Sequence, residues 1–226
     1  MKLIDLQGKR VLLTQSEEFM GPALQRVFSA LGATLIADAR PLDDPQAAAE
    51  LVREAVDIDV LIAHLALPAP STAVADVDEE EWRQVFAHLV DPLPRLARAV
   101  LPQFVARGGG RIVVIGSAAA LRGQKRTSTY SAARGAQLAW VRAAGLELAR
   151  QNVQVNAIAQ NFVANPTYFP PEVQANPAFQ ERLKREVPLG RLVSGEEDAL
   201  FAAYLASDAA ACFVGQVFPV CGGWVG

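Results

Sequence analysis

Cysteine is nearly absent: among 226 residues there are two, Cys212 and Cys221. They cannot staple a domain of this size, and with two isolated histidines, His64 and His88, they make no metal-ligand cluster. Both read as small, buried apolar residues. Lysine is scarce as well, with most of the 21 basic residues being arginine. Set against 24 acidic residues, the balance is −3. That excludes the basic footprint of a nucleic-acid binder and a polybasic membrane patch. No run approaches the ~18 apolar residues of a membrane span. The opening MKLIDLQGKR lacks the apolar stretch of a secretory signal. A soluble, cytoplasmic protein without metal is expected. Linkers, repeats and low-complexity stretches are missing too, so residues 1–226 are read as a single domain.

What the chain does have is an alternation of short apolar runs with amphipathic stretches. Strands are expected over 10–14, 33–37, 59–63, 111–115, 153–159 and 216–220. Helices are expected over about 21–31, 45–55, 79–107 and 128–150, with one or two more before Ser207. Residues 161–177 read as a Pro/Asn-rich loop. The pattern predicts an α/β fold: a doubly wound parallel sheet of about six main strands, flanked by helices. Residues 38–58 hold one helix and little else, so the second strand should lie at or next to an edge. Such sheets bind ligands at the carboxyl ends of their strands, where the strand order reverses. The residues just after Thr14, Ala63, Ile115 and Ala159 therefore matter most.

Ser117 ends the fourth strand, Tyr130 follows thirteen residues later, and Arg134 stands at i+4 from the tyrosine. That spacing stacks Tyr130 and Arg134 on one helical face. A guanidinium does not deprotonate at ordinary pH, so beside a phenol it favours the phenolate, a general base. The same three residues also fit a plainer account: a core tyrosine, a surface arginine and an incidental strand-end serine.

Strand–Ser, thirteen residues to Tyr, then a basic residue on the same helix resembles the short-chain dehydrogenase/reductase pattern. Val153–Ile158 and the closing Gly215-Gln-Val…Gly222-Gly223 are similar as well. The departures are systematic. Arg134 stands where those reductases carry the Lys that binds the nicotinamide ribose. Their first turn, Thr-Gly-x-x-x-Gly-x-Gly, reads here Thr14-Gln-Ser-Glu-Glu-Phe-Met-Gly21, so Gln15 and Phe19 replace two glycines that admit a pyrophosphate. Gln160-Asn161 replaces Pro-Gly, and His64-Leu-Ala replaces the Asn-rich turn. Losing glycines, space and Lys together argues against a bound nucleotide.

This set resembles the halohydrin dehalogenases, cofactor-free relatives of those reductases in which a halide takes the nicotinamide's place. The resemblance implies a Rossmann-like fold, a catalytic set of Ser117, Tyr130 and Arg134, and no cofactor. It implies a halide and substrate site made by Phe19, Asn161, Phe162 and Val163, whose backbone N–H groups at 162–163 solvate the anion. Phe169 joins them from an aromatic–proline segment, Tyr168–Pro171. The implied reaction turns a vicinal haloalcohol into an epoxide and halide; in reverse, a small anion opens an epoxide. A homotetramer is implied, built on the helices beginning at Glu79 and carrying Tyr130, with exterior positions around Leu138 and Leu146. The alternatives are an atypical NAD(P)-dependent reductase and a non-catalytic relative.

Remaining residues have blander readings. His64 either lines the pocket or caps a strand end, and His88 is structural. Asp38 is a turn or cap acid, and Asp78 to Glu81 favour a helix N-terminus. Trp82 and Trp140 are packing residues, and Trp224 reaches a pocket of its own subunit or a neighbour's.

Overall fold

The computed structural model describes residues 4–225. Six strands form one parallel sheet: β1 (Arg10–Leu13), β2 (Thr34–Ala37), β3 (Val60–His64), β4 (Gly110–Ser117), β5 (Val153–Gln160) and β6 (Val217–Val220). Their order is β2-β1-β3-β4-β5-β6, with β2 at one edge. Every run of the sequence pattern appears as a strand, within two residues of its expected bounds. Between β2 and β3 lies one helix, α2 (Ala47–Ala55), and no further strand. The missing strand–helix unit is therefore real.

The chain steps outward from β1 to β2, then returns to β3 on the other side of β1. That reversal opens a crevice beyond the carboxyl ends of β1 and β3, where a doubly wound sheet takes its ligand. Helices α1 (Gly21–Ala30) and α8 (Gly195–Ala206) cover one face, packing on Val11, Leu13, Ile62, Val113, Ile115 and Ile158. Helices α2, α4 (Pro92–Ala106) and α5 (Ser128–Leu148) cover the other, on Leu12, Leu61, Ile112, Val114, Val155 and Ala157. Alternate residues of each central strand serve opposite faces, as a pleated strand buried on both sides must.

Four expectations need correction. The single helix over 79–107 is two, α3 (Glu79–Leu89) and α4, separated at Val90-Asp91. Asp91 keeps helical backbone, but Pro92 has no N–H to continue the ladder, so the first helix ends there and Pro92 stands in the first turn of a new one. The 161–177 loop contains a short helix, α6 (Pro171–Ala175), ahead of α7 (Pro177–Glu186). Cys212 is exposed, unlike the buried Cys221. Leu138 faces inward and is buried, while Leu146 is 74% exposed. The inner face of α5 approaches closely elsewhere: a Cβ on Gly145 would lie 2.4 Å from the Gly215 nitrogen.

Asp78 caps α3, accepting the Glu81 N–H at 2.8 Å, and Asp38 is a turn acid, accepting the Arg40 N–H. No helix of the described residues is long and apolar enough to cross a membrane, and among them no group of His, Cys, Asp and Glu could hold a metal.

Candidate active site

A cavity of about 390 Å³ opens at the carboxyl ends of β1, β3, β4 and β5. All eight residues singled out from the sequence line it: Phe19, Ser117, Tyr130, Arg134, Asn161, Phe162, Val163 and Phe169. Four different elements deliver them. Ser117 is the last residue of β4, Tyr130 and Arg134 lie in the first two turns of α5, Phe19 precedes α1, and the rest follow β5.

Arg134 is buried, yet among the described residues it meets no carboxylate. Its Nη1 donates to the Ile115 carbonyl at 3.2 Å and to Gln137 Oε1 at 3.0 Å, and Nε has no partner. Gln137 is itself tied to the Leu89 carbonyl at the end of α3. The guanidinium carbon lies 5.1 Å from the centre of the Tyr130 ring. A buried cation surrounded by neutral acceptors is uncompensated, a costly state unless a ligand supplies the negative charge. Among the described residues no Asp or Glu lines the cavity. Ser117 Oγ accepts the Ala119 N–H at 3.2 Å, which leaves its own proton to donate. Ser117 and Tyr130 share the cavity but form no direct hydrogen bond, so they can meet through a substrate oxygen.

At the other end, the Asn161 Nδ2 donor is buried without a partner. The Phe162 N–H, expected to face an anion, instead donates to Asn161 Oδ1 at 2.9 Å. That part of the expected halide cradle is already taken. Aromatic rings close this end: Phe162 stacks on Phe169 (6.2 Å between centroids) and meets Trp224 edge-on (6.1 Å). Trp224 thus backs the wall of its own subunit's cavity rather than lining it.

Gln15 (φ +45°), Phe19 (+46°) and Phe162 (+51°) all hold left-handed backbone, which costs a non-glycine residue about 1–2 kcal/mol. Gln15 and Phe19 thus keep the backbone course of the glycines they replace, but their side chains fill the space. Gln15 Oε1 accepts the Ala66 N–H, and the Phe19 N–H donates to Thr167 Oγ1 at 3.3 Å. The Phe19 ring packs 5.3 Å from Tyr168 and 6.5 Å from His64. These residues do not fit a dinucleotide, because rings and an amide stand where backbone would have to approach phosphate. Gly21 persists for a separate reason: a Cβ there would lie 2.1 Å from the Ser16 carbonyl oxygen.

His64 both lines the cavity and ties down the first turn, its Nδ1 lying 2.9 Å from the Gln15 carbonyl. Burial, helped by the Arg134 charge, pushes its pKa down to about 4. The ring is neutral at ordinary pH, with Nδ1 carrying the proton.

Several lining residues escaped the sequence reading. Tyr168 lies between Phe19 and Phe169, and its hydroxyl oxygen accepts the Ala69 N–H at 2.8 Å. Burial, then the neighbouring Tyr130, push its pKa up, so it stays a proton-bearing donor; its place in the aromatic–proline segment was the available signal. Phe179 and Arg182 on α7 had none, because nothing local ties that helix to the sheet edge. Gln160, beside Asn161, marks the end of β5.

Strand order, helical layers and site position define the fold as that of the short-chain dehydrogenases/reductases. Over residues 2–225 the sequence matches the model of the family described as "Enoyl-(Acyl carrier protein) reductase", and the chain belongs to that family. It is 32% identical over 187 residues to the cis-4-hydroxycyclohexanecarboxylate dehydrogenase of Sinomonas cyclohexanicum, covering 80% of this chain and 73% of that one. It is 31% identical over 220 residues to the galactitol 2-dehydrogenase (L-tagatose-forming) of Cereibacter sphaeroides, covering 96% and 85%. Among solved structures it resembles one described as "Dehalogenation enzyme", with a TM-score of 0.91 and 32% identity over 97% of this chain and 99% of that one.

Proposed function

We propose that this protein is a cofactor-free halohydrin dehalogenase, a carbon–halide lyase acting on small vicinal haloalcohols. The observation that carries the reading is Arg134 beside Tyr130, in a cavity that no Asp or Glu of the described residues lines. Beside that cation Tyr130 acts as the general base and takes the hydroxyl proton of the haloalcohol, while the Ser117 O–H donates to the same oxygen. The alkoxide attacks the adjacent carbon, the carbon–halogen bond breaks, and halide leaves with the bonding pair. Epoxide and halide are the products, and the proton on Tyr130 passes to solvent. Asn161 Nδ2, unpartnered in the protein, suits the departing anion; Phe19, Phe162, Val163 and Phe169 keep water from it. Reversal gives epoxide opening by halide or another small anion.

A second reading, nicotinamide-dependent reduction, is favoured by the family's description and by the dehydrogenase relatives. It places the dinucleotide in the space taken by Gln15 and Phe19. One experiment separates the two: halide release from a simple vicinal bromoalcohol in protein stripped of any nucleotide. Release at a rate that added NAD(P) leaves unchanged is the expected result. No release, together with calorimetric retention of NADPH, would favour the reductase.

A further inference from the structure

Asp198 sits in the first turn of α8, fully buried, and among the described residues no cation pairs with it. Its Oδ2 accepts Gln160 Nε2 at 2.5 Å, and its Oδ1 has no partner. The charged groups on surrounding elements are committed elsewhere. Arg26 on α1 pairs with Glu196, Arg191 pairs with Glu197, and Arg111 on β4 and Lys9 pair with Asp208. Gln160, in contrast, lines the cavity, next to Asn161 and in register with Ser117. One residue thus joins a buried carboxyl to the wall of the site.

An ionised carboxylate only accepts, so it takes the NH₂ end of the Gln160 amide and leaves the carbonyl oxygen toward the cavity. A protonated carboxyl can donate its O–H to that oxygen, and the amide, turned over, then offers NH₂ to the cavity. The first state repels an anion and the second binds one.

We propose that Asp198 is a positioning residue that couples one proton to anion binding by deciding which end of the Gln160 amide faces the cavity; this rests on the dehalogenation reading. Burial raises the Asp198 carboxyl to about 7, with Gln160 opposing, so both states are populated near neutrality. Halide enters with a proton taken up on Asp198, and the proton leaves with the halide.

The test is bromide binding to the full chain by calorimetry, between about pH 5.5 and 8.5, in a Tyr130→Phe background that removes the phenol. The parent is expected to lose affinity as pH rises, approaching about tenfold per pH unit above the Asp198 midpoint. Buffers of differing ionisation enthalpy should report up to one proton taken up. Asp198→Asn should bind bromide with flat pH dependence, and so should Gln160→Met, which removes the amide. If Asp198→Asn keeps the parent's slope, the coupling is wrong while dehalogenation stands. If Asp198→Asn fails to fold, an unchanged slope in Gln160→Met overturns it equally. A parent that binds no bromide at any pH overturns the dehalogenation reading, and the coupling with it.

Discussion

Arg134 concentrates the chemistry because it is a cation sealed among neutral acceptors. Lysine at 134 would keep the charge but lose the planar guanidinium, whose Nη1 bonds both Ile115 and Gln137. Arg134→Lys should lower haloalcohol turnover steeply and move the pH optimum upward, without creating NAD(P) binding, because Gln15 and Phe19 still fill the first turn. Tyr130→Phe removes the base and little volume, so turnover should fall by at least the 10²–10⁴-fold range typical of general bases, with circular dichroism unchanged. Near-parental turnover by Tyr130→Phe would refute the mechanism. The placement of Ser117, Tyr130 and Arg134 was legible because strand end and helix phase are local properties, but it was the family spacing that singled them out from a core tyrosine, a surface arginine and an incidental serine. Phe19 was legible as a departure from a glycine frame, and its φ of +46° shows that frame still in force. Arg182, Phe179 and the Asp198–Gln160 pair were not, since contacts across long separations leave no periodic trace.

The elements place these residues by topology more than by local preference. All six strands were readable from their apolar runs, and the missing unit between β2 and β3 from the shortness of residues 38–58. The break between α3 and α4 was written in Pro92 but masked by the apolar periodicity running through it. At the end of α2 the chain carries a local fault: Val56, 56% exposed, holds φ +30°. Its ψ of 148° lies outside the left-handed helical well, in a region where a β-branched residue is strained and glycine is not. Val56→Gly should stabilise the protein by about 1 kcal/mol, because little packing is lost. A denaturant midpoint that does not rise would show the strain is relieved some other way. The site should not notice, since Val56 lies off the cavity wall.

Association and proton balance belong to the molecule entire. We propose a homotetramer built on α3 and α5, whose outer surface carries the stacked Trp82–Phe86 pair and the exposed Leu146; a monomer by light scattering at micromolar concentration would end that idea. The pH dependence of stability sets two buried groups against each other. His64 is held near 4, below its usual 6.5, so the unfolded chain binds more protons between those values and stability rises with pH there. Asp198 is held near 7, above its usual 3.8, so the folded chain binds more protons and stability falls as pH rises through that interval. Each slope is at most about 1.4 kcal/mol per pH unit, and between pH 5 and 6.5 they oppose. The surface carboxylates with lowered values, such as Glu186 and Glu196, act below this window. Halide-free parent protein should therefore show nearly constant urea stability from pH 5 to 6.5. Asp198→Asn leaves His64 alone, so its stability should climb by up to about 2 kcal/mol across the window. His64→Gln, which can still donate to the Gln15 carbonyl, leaves Asp198 alone and should fall by a similar amount. Parallel profiles for the two variants would mean that neither group titrates as its burial demands.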